Sequence, residues 1–372
     1  MSRRIRLMKL VNIIAPYRVC VYNEIGKHVD FTVAYGGNES NRGTWVPPAR
    51  DEVSFTPLKS KGITLRIPRK GSDGKTVDTR FIQLTFGFLF DLVRLRPDAV
   101  LSVEMGFRSL CALMYGSLFR KPVWIWWGGT LHTEREVGGF KLKLRKFFVK
   151  RARHWISYGA TSTEYLTSIG VDRNRIVQIQ NCVDYHRFSP SIEASMKDLP
   201  GPVLLHVGQL IGRKGVEGLI RAYAEASRRA NVRGTLLLVG DGPDRQALEA
   251  LCTELQIRDS VLFEGARKPA ALPGIYRSAD VVIFPTLEDV WGLVANEAML
   301  CGVPVLVSKF AGCAAEIVHP DAVFDPLDHE AMVARLVSAL QRQTPLSDAS
   351  HLLSFEQVAG RIVDSVKKEV RL

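Results

Sequence analysis

A chain of 372 residues, 46% hydrophobic and 24% charged, is long enough for two or three domains and has an ordinary globular composition. Wholesale disorder is excluded, and 30 Gly, 18 Pro and six Cys exclude collagen-like and disulfide-scaffold classes. The net charge of +12 is unevenly held: residues 1–190 carry 31 Lys/Arg against 15 Asp/Glu, and residues 191–372 carry 19 against 23.

The first half is therefore expected to meet something anionic, such as a membrane surface, a phosphorylated substrate or nucleic acid. The cysteines (Cys20, Cys111, Cys182, Cys252, Cys301, Cys313) are far apart and form no C-x-x-C. They read as small buried hydrophobes in a reducing, cytosolic compartment. Lys9, Asn12 and Pro16 break the basic N-terminal stretch, and no apolar run approaches ~18–20 residues, so neither a targeting nor a spanning segment is expected.

In chain order, the first half predicts strands over 5–14, 31–34, 99–103, 123–127 and 154–157. Helices are expected over 19–27, 81–95, 108–119 and 140–152. The stretch 35–75, rich in Gly, Pro, Asn and charge, reads as loops with one or two short strands. A domain boundary fits 184–200. Beyond it, apolar runs over 202–207, 235–239, 261–263, 280–284 and 303–307 alternate with helical patterns over 216–228, 243–255, 271–278 and 292–301. A last helix is expected over 356–369. Continuous apolar strands separated by helices imply parallel sheets covered on both faces. The expectation is α/β: an N-terminal Rossmann-like domain over 1–190, a second over 191–355, and a final helix packing back on the first. Ligands on such sheets bind outside the carboxyl ends of the strands, which makes a central cleft between the halves the expected site.

The sharpest chemical constellation is Phe284-Pro-Thr-Leu-Glu-Asp289-Val290-Trp291-Gly292-Leu293-Val-Ala-Asn-Glu297-Ala-Met-Leu-Cys-Gly302-Val-Pro304. A buried strand leads through an acidic loop into a helix whose free N–H groups and positive dipole end suit a phosphate. Asp289 precedes the helix, and Glu297 lies about 7.5 Å along it. Two carboxylates beside a phosphate site can hold hydroxyls, and hydroxyls plus phosphate describe a nucleotide sugar.

This segment resembles family 4 of the glycosyltransferases, retaining enzymes of the GT-B fold. Their signature has two glutamates separated by seven residues, an aromatic-Gly pair between them and a Cys-Gly-x-Pro turn after. Here Asp289 stands in place of the first glutamate, a shorter carboxylate. The resemblance implies that Asp289 holds the transferred sugar and Glu297 the nucleotide ribose. In Gly208-Gln209-Leu-Ile-Gly-Arg213-Lys214-Gly215 it implies that Lys214 binds the diphosphate. Gln209 replaces the usual Arg, and Arg213, adjacent to Lys214, is a candidate for the missing charge. Gly265, Ala266 and Arg267 take the place where family members hold the base through backbone groups. Gly240-Asp-Gly242-Pro243 resembles the family's strand-to-helix turn, or is simply a tight turn.

In the first half, Gly128 and Gly129 end an apolar strand ahead of His132 and Glu134. The resemblance gives His132 a place near the transferred sugar, or else it is a surface residue. Glu134, Gly128 and Gly129 are acceptor candidates. Arg18 reads either as a contact for an acceptor phosphate or as a solvated surface arginine. Residues 141–153 carry seven cations interleaved with apolar residues, a pattern that suits anionic lipid as well as a core-packed helix with a basic side.

The expected reaction is retaining transfer of a sugar from a nucleotide donor to an acceptor hydroxyl, without a metal. The expected acceptor is a lipid-linked or cell-envelope glycan intermediate at the inner face of the membrane. No further cofactor and no nucleic-acid partner are expected. Two rivals are an NAD-dependent Rossmann oxidoreductase, which lacks its G-x-G-x-x-G here, and a basic nucleic-acid-binding protein, which lacks a recognisable motif.

Overall fold

A computed structural model describes residues 3–37, 46–70 and 76–370 of the protein. The chain divides into two compact units: Met1–Val183 with Leu353–Leu372, and Asp184–Leu352.

The first unit contains β1 (Arg6–Val11), α1 (Val19–His28), β2 (Asp30–Tyr35), β3 (Thr56–Lys59), β4 (Ile63–Lys70) and β5 (Thr76–Leu84). There follow α2 (Gly87–Leu95), β6 (Ala99–Val103), α3 (Phe107–Phe119), β7 (Val123–Trp127), α4 (Gly139–Arg151), β8 (His154–Tyr158), α5 (Gly159–Ser168) and β9 (Ile176–Ile179). Its parallel sheet runs β3-β2-β1-β6-β7-β8-β9. Residues alternate between the two faces of β1. Met8 and Leu10 join Phe88, Leu92 and Tyr115 in a core under α2 and α3.

The second unit contains β10 (Val203–Val207), α6 (Val216–Ala230), β11 (Thr235–Val239), α7 (Arg245–Glu254), β12 (Val261–Gly265) and α8 (Leu272–Tyr276). It continues with β13 (Val281–Phe284), α9 (Leu293–Leu300), β14 (Val305–Ser308), α10 (Ala314–Ile317), β15 (Val323–Phe324) and α11 (His329–Leu340). Its parallel sheet runs β12-β11-β10-β13-β14-β15. Helix α12 (Phe355–Glu369) belongs to the first unit. There it packs on α1 and β9, and its Ser365 hydroxyl accepts from Trp124 Nε1 at 3.0 Å.

Both sheets reverse their strand order once, between β1 and β6 in one and between β10 and β13 in the other. Such a reversal splays the flanking loops apart and leaves a crevice at the carboxyl edge.

The helix expected over 81–95 begins only at Gly87. Residues 76–84 instead form β5, paired antiparallel with β4. A strand and a helix abut there, and their apolar residues run together into one apparent period. Part of the expected loop region, 38–45 and 71–75, lies outside the described residues. Helices α5, α10 and α11 and strands β9 and β15 lie outside the expected elements.

Candidate functional site

The second unit's switch point gathers most of the candidate donor residues. Gly208 N donates to Val239 O at 2.9 Å and Gly240 N to Gly265 O at 2.9 Å, which stitches together the segments after β10, β11 and β12. Gly240 has φ +144°, and a Cβ there would stand 1.7 Å from Gly208 O. Only glycine lets these backbones approach so closely.

After β10 a short turn, Gly212–Lys214, is closed by Gly215 at φ +70°. Lys214 thereby reaches the loop after β13, where its Nζ donates to Asp289 Oδ2 at 2.5 Å. The two side chains are only 11% and 18% exposed. Arg213 turns to the same loop: its Nη1 donates to Glu288 O at 3.3 Å, and its own carbonyl accepts from Leu287 N at 2.8 Å. Adjacent cations thus converge although their side chains leave the backbone separately.

Asp289 also accepts from Trp291 N at 3.1 Å. Burial pushes its carboxyl up, but the charge and hydrogen bond of Lys214, the Trp291 N–H and the charge of Arg213 outweigh burial and hold it below the usual range. Trp291 is 1% exposed and donates its indole N–H to Asn296 Oδ1 at 2.8 Å. That bond fixes the bend into α9. Gly292 caps the helix at φ +103°, where a Cβ would stand 2.5 Å from Phe284 Cε1. Inside α9, Glu297 Oε2 accepts from Tyr276 Oη at 2.5 Å. Burial pushes the Glu297 carboxyl up to about 7, the Tyr276 bond opposing it. One acid is therefore held ionised and the other poised near neutrality.

Gln209, Ala266, Arg267 and Val290 are exposed, and Gly208, Gly265 and Leu293 are half-buried. Arg267 is paired with Glu264. Tyr276 was missed by sequence reasoning; it sits in a short helix outside every recognised motif, and only its contact with Glu297 reveals it.

In the first unit, Gly128, Gly129, His132 and Glu134 share the segment after β7. Gly128 backs directly onto the Tyr158 ring, 2.5 Å from where its Cβ would lie. His132 is half-buried, and its carbonyl accepts from Arg135 Nη1 at 2.6 Å. Glu134 is engaged by Arg145 of α4 at 2.6 Å, with side chains 13% and 7% exposed. Arg145 in turn lies over the Trp127 ring, 4.2 Å from its centroid. One of the seven cations of 141–153 therefore points inward. Phe148 joins the core beside Leu144, while Phe147 is 41% exposed. Arg18 is 4% exposed, so it is not a solvated surface residue. Among the described residues no group of three or more His, Cys, Asp or Glu is placed to hold a metal ion.

Residues 190–351 match the family model of the glycosyl transferases group 1. The group 1 match covers nearly all of the second unit and every donor candidate. Over 117 residues the chain is 41% identical to an uncharacterized glycosyltransferase of Methanocaldococcus jannaschii, covering 32% of this chain and 30% of that protein. It is 30% identical over 195 residues to D-inositol 3-phosphate glycosyltransferase of Nocardia farcinica, covering 49% and 42%. The chain thus spans less than half the length of these curated relatives. Among solved structures, HepE of Anabaena in complex with UDP-glucose superposes with TM-score 0.67 at 17% identity, covering 98% and 97% of the two chains. Sucrose-phosphate synthase of Thermosynechococcus elongatus gives 0.64 at 17%, covering 98% and 95%. WaaG, a glycosyltransferase of lipopolysaccharide biosynthesis, gives 0.66 at 16%, covering 97% and 99%. The fold is GT-B, with two Rossmann-like units.

Proposed function

We propose that the protein is a retaining glycosyltransferase of family 4 that moves a sugar from a nucleotide-sugar donor to an acceptor hydroxyl. The observation that carries this reading is the convergence of Lys214, Arg213, Asp289 and the α9 N-terminus at the second unit's switch point. As the glycosidic bond breaks, negative charge grows on the departing diphosphate. Lys214, Arg213 and the N–H groups that open α9 are already oriented to stabilise it, without the reorganisation that water would need. Asp289, ionised and fixed by Lys214 and Trp291, accepts from hydroxyls of the transferred sugar. Glu297, held by Tyr276, accepts from the ribose. Gly265, Ala266 and Arg267 border the base. The UDP-glucose complex of HepE supports a uridine donor by analogy.

A thermal-shift panel of UDP-, GDP- and ADP-sugars tests this. One nucleotide sugar should raise Tm by several degrees, and Glu297→Gln or Lys214→Met should reduce that shift. Absence of any shift across the panel refutes the donor site.

For the acceptor we propose a lipid-linked or cell-envelope glycan intermediate, met at the cytoplasmic face of a membrane. Helix α4 supports this with Phe140, Leu142 and Phe147 exposed at 81%, 40% and 41% among lysines. Flotation with phosphatidylglycerol vesicles should show salt-sensitive binding that Lys141→Glu with Lys146→Glu removes; salt-independent or absent binding counts against it.

A further inference from the structure

A cavity of about 410 Å³ opens at the amino edge of the first unit's sheet, the end opposite the carboxyl-edge crevice. Arg6, Asp30 and Thr56, the first residues of β1, β2 and β3, stand on its rim with Arg3, Arg4 and Ser54. Phe31 and Phe55, 2% and 3% exposed, form its floor. Their ring centroids are 6.3 Å apart, and Tyr22 meets them edge-on at 5.9 and 5.7 Å, so the floor is rigid. Gly26 of α1 closes the back wall: a Cβ there would stand 2.0 Å from Ser54 O, and only glycine lets the helix come this near. The volume falls in the range of small-molecule pockets.

Around this space three guanidiniums face one carboxylate, the exposed Asp30. The acid that anchors two of them, Asp98, is shared by three cations. Its Oδ1 accepts from Arg3 Nη2 at 2.5 Å and from Lys121 Nζ at 3.4 Å, and its Oδ2 from the Arg6 backbone N–H at 3.0 Å. Arg6 Nε, 3.6 Å from Oδ2, is cut off from water without a hydrogen-bond partner. Arg3, Arg6 and Lys121 thus exceed the charge of Asp98 by two, and Arg4 offsets Asp30. Helix capping explains only part of the set: Arg4 gives one N–H to Lys27 O at 3.1 Å, and Arg6 gives one to Leu95 O at 3.3 Å. Each guanidinium has five N–H donors, so most remain available. By covering Lys27 O, Arg4 also masks the negative end of α1, which would repel an anion.

We propose that this cavity binds a small phosphomonoester, its phosphate held by Arg3, Arg4 and Arg6 and its carbon body resting over Phe31 and Phe55. Phosphate oxygens only accept, and a phosphomonoester carries nearly two negative charges at neutral pH, which matches both the donor set and the excess of positive charge. Asp30, Ser54 and Thr56 are left for hydroxyls on the body. Five residue rises along β1 separate Arg6 from Val11, about 16 Å. A ligand held here therefore takes no part in chemistry at the carboxyl edge and acts as a stabilising effector of the first unit. The site does not rest on the transferase reading.

The test is calorimetric titration of the full chain with glycerol 3-phosphate, with UDP present throughout to occupy the second unit, alongside co-sedimentation with phosphatidylglycerol vesicles. Arg4→Gln removes one cation and leaves Asp98 its partners. Ser54→Trp fills the cavity and leaves all three arginines. Both positions are exposed, so the unliganded variants should melt with wild type. Each variant should weaken glycerol 3-phosphate binding at least about tenfold, and the Tm rise that the ligand gives wild type should shrink with it. Vesicle binding should be unmoved by Ser54→Trp. Absence of saturable binding to wild type overturns the site, as does binding that either variant leaves unchanged: with Ser54→Trp the anion would sit on surface charge, and with Arg4→Gln it would sit away from the guanidiniums. A Ser54→Trp protein that no longer sediments with vesicles overturns it too, because this edge would then face a bilayer. UDP titration of the same variants should match wild type and reads the donor site separately.

Discussion

Lys214 donates to Asp289 across 75 residues of sequence, joining the loop after β10 to the loop after β13. Removing the ammonium strands a largely buried carboxylate. Lys214→Met should lower unfolding stability by about 3 kcal/mol and kcat/KM by roughly 10²–10³-fold, measured by urea denaturation and sugar transfer. Asp289 has a depressed folded pKa, so its contribution is complete above the unfolded value of about 3.9 and fades as pH falls through the folded one. An acid titration of wild type against Asp289→Asn should show the two curves separating as pH rises through that window and keeping their full difference above it.

Glu297 gives the opposite sign. Its folded carboxyl is pushed up to about 7, whereas the unfolded value is near 4.3. Between those values the folded state keeps a proton that the unfolded chain releases, so stability falls as pH rises. Glu297→Gln should match wild type at pH 4 and exceed it at pH 8 by about 3 kcal/mol, while donor affinity drops. Denaturant melts at the two pH values check this; equal differences at both would count against the buried acid.

His206 is wholly buried in β10, with Nε2 unpartnered and Nδ1 3.3 Å from Ile283 O. Burial, and then the charge of Lys214, bring its pKa down to about 4 against the Ile283 bond. The unfolded chain takes up a proton near 6.5 that the folded one refuses. Stability should therefore decline as pH falls from 6.5 to 4, and His206→Leu should flatten that limb of the curve.

Gly240 and Gly212 form an internal control. Gly240→Ala forces a Cβ against Gly208 O, whereas a Cβ on Gly212 meets nothing within 4 Å. The first substitution should cost more than about 2 kcal/mol and weaken nucleotide binding. Gly212→Ala should leave both within experimental scatter. Thermal melts of the two variants suffice.

The second unit was legible because its strands are buried on both faces, so Val203–Val207, Thr235–Val239 and Val281–Phe284 read as mainly apolar runs, with His206 and Thr235 their only polar members. Edge strand β9 and helix α5, with its Thr and Ser, carry no such signal. The motifs and the family resemblance singled out Lys214, Asp289 and Glu297 individually. It could not show that Lys214 grips Asp289 or that Tyr276 grips Glu297, since those contacts depend on loops converging from separate strands. Lys9 and His206 left a usable trace: each is an ionisable residue set between apolar neighbours inside a strand, Lys9 between Met8 and Leu10 and His206 between Leu205 and Val207.

Because α12 completes the first unit while residues 184–352 form the second, the polypeptide leaves one unit and later comes back to it. On the ribosome, the later-coded unit can close its sheet while the earlier one still waits for its last helix. Until residues 355–369 emerge, the apolar flanks of α1 and β9 lack their cover. During synthesis, the half translated first is therefore the half exposed longest to chaperones and to aggregation.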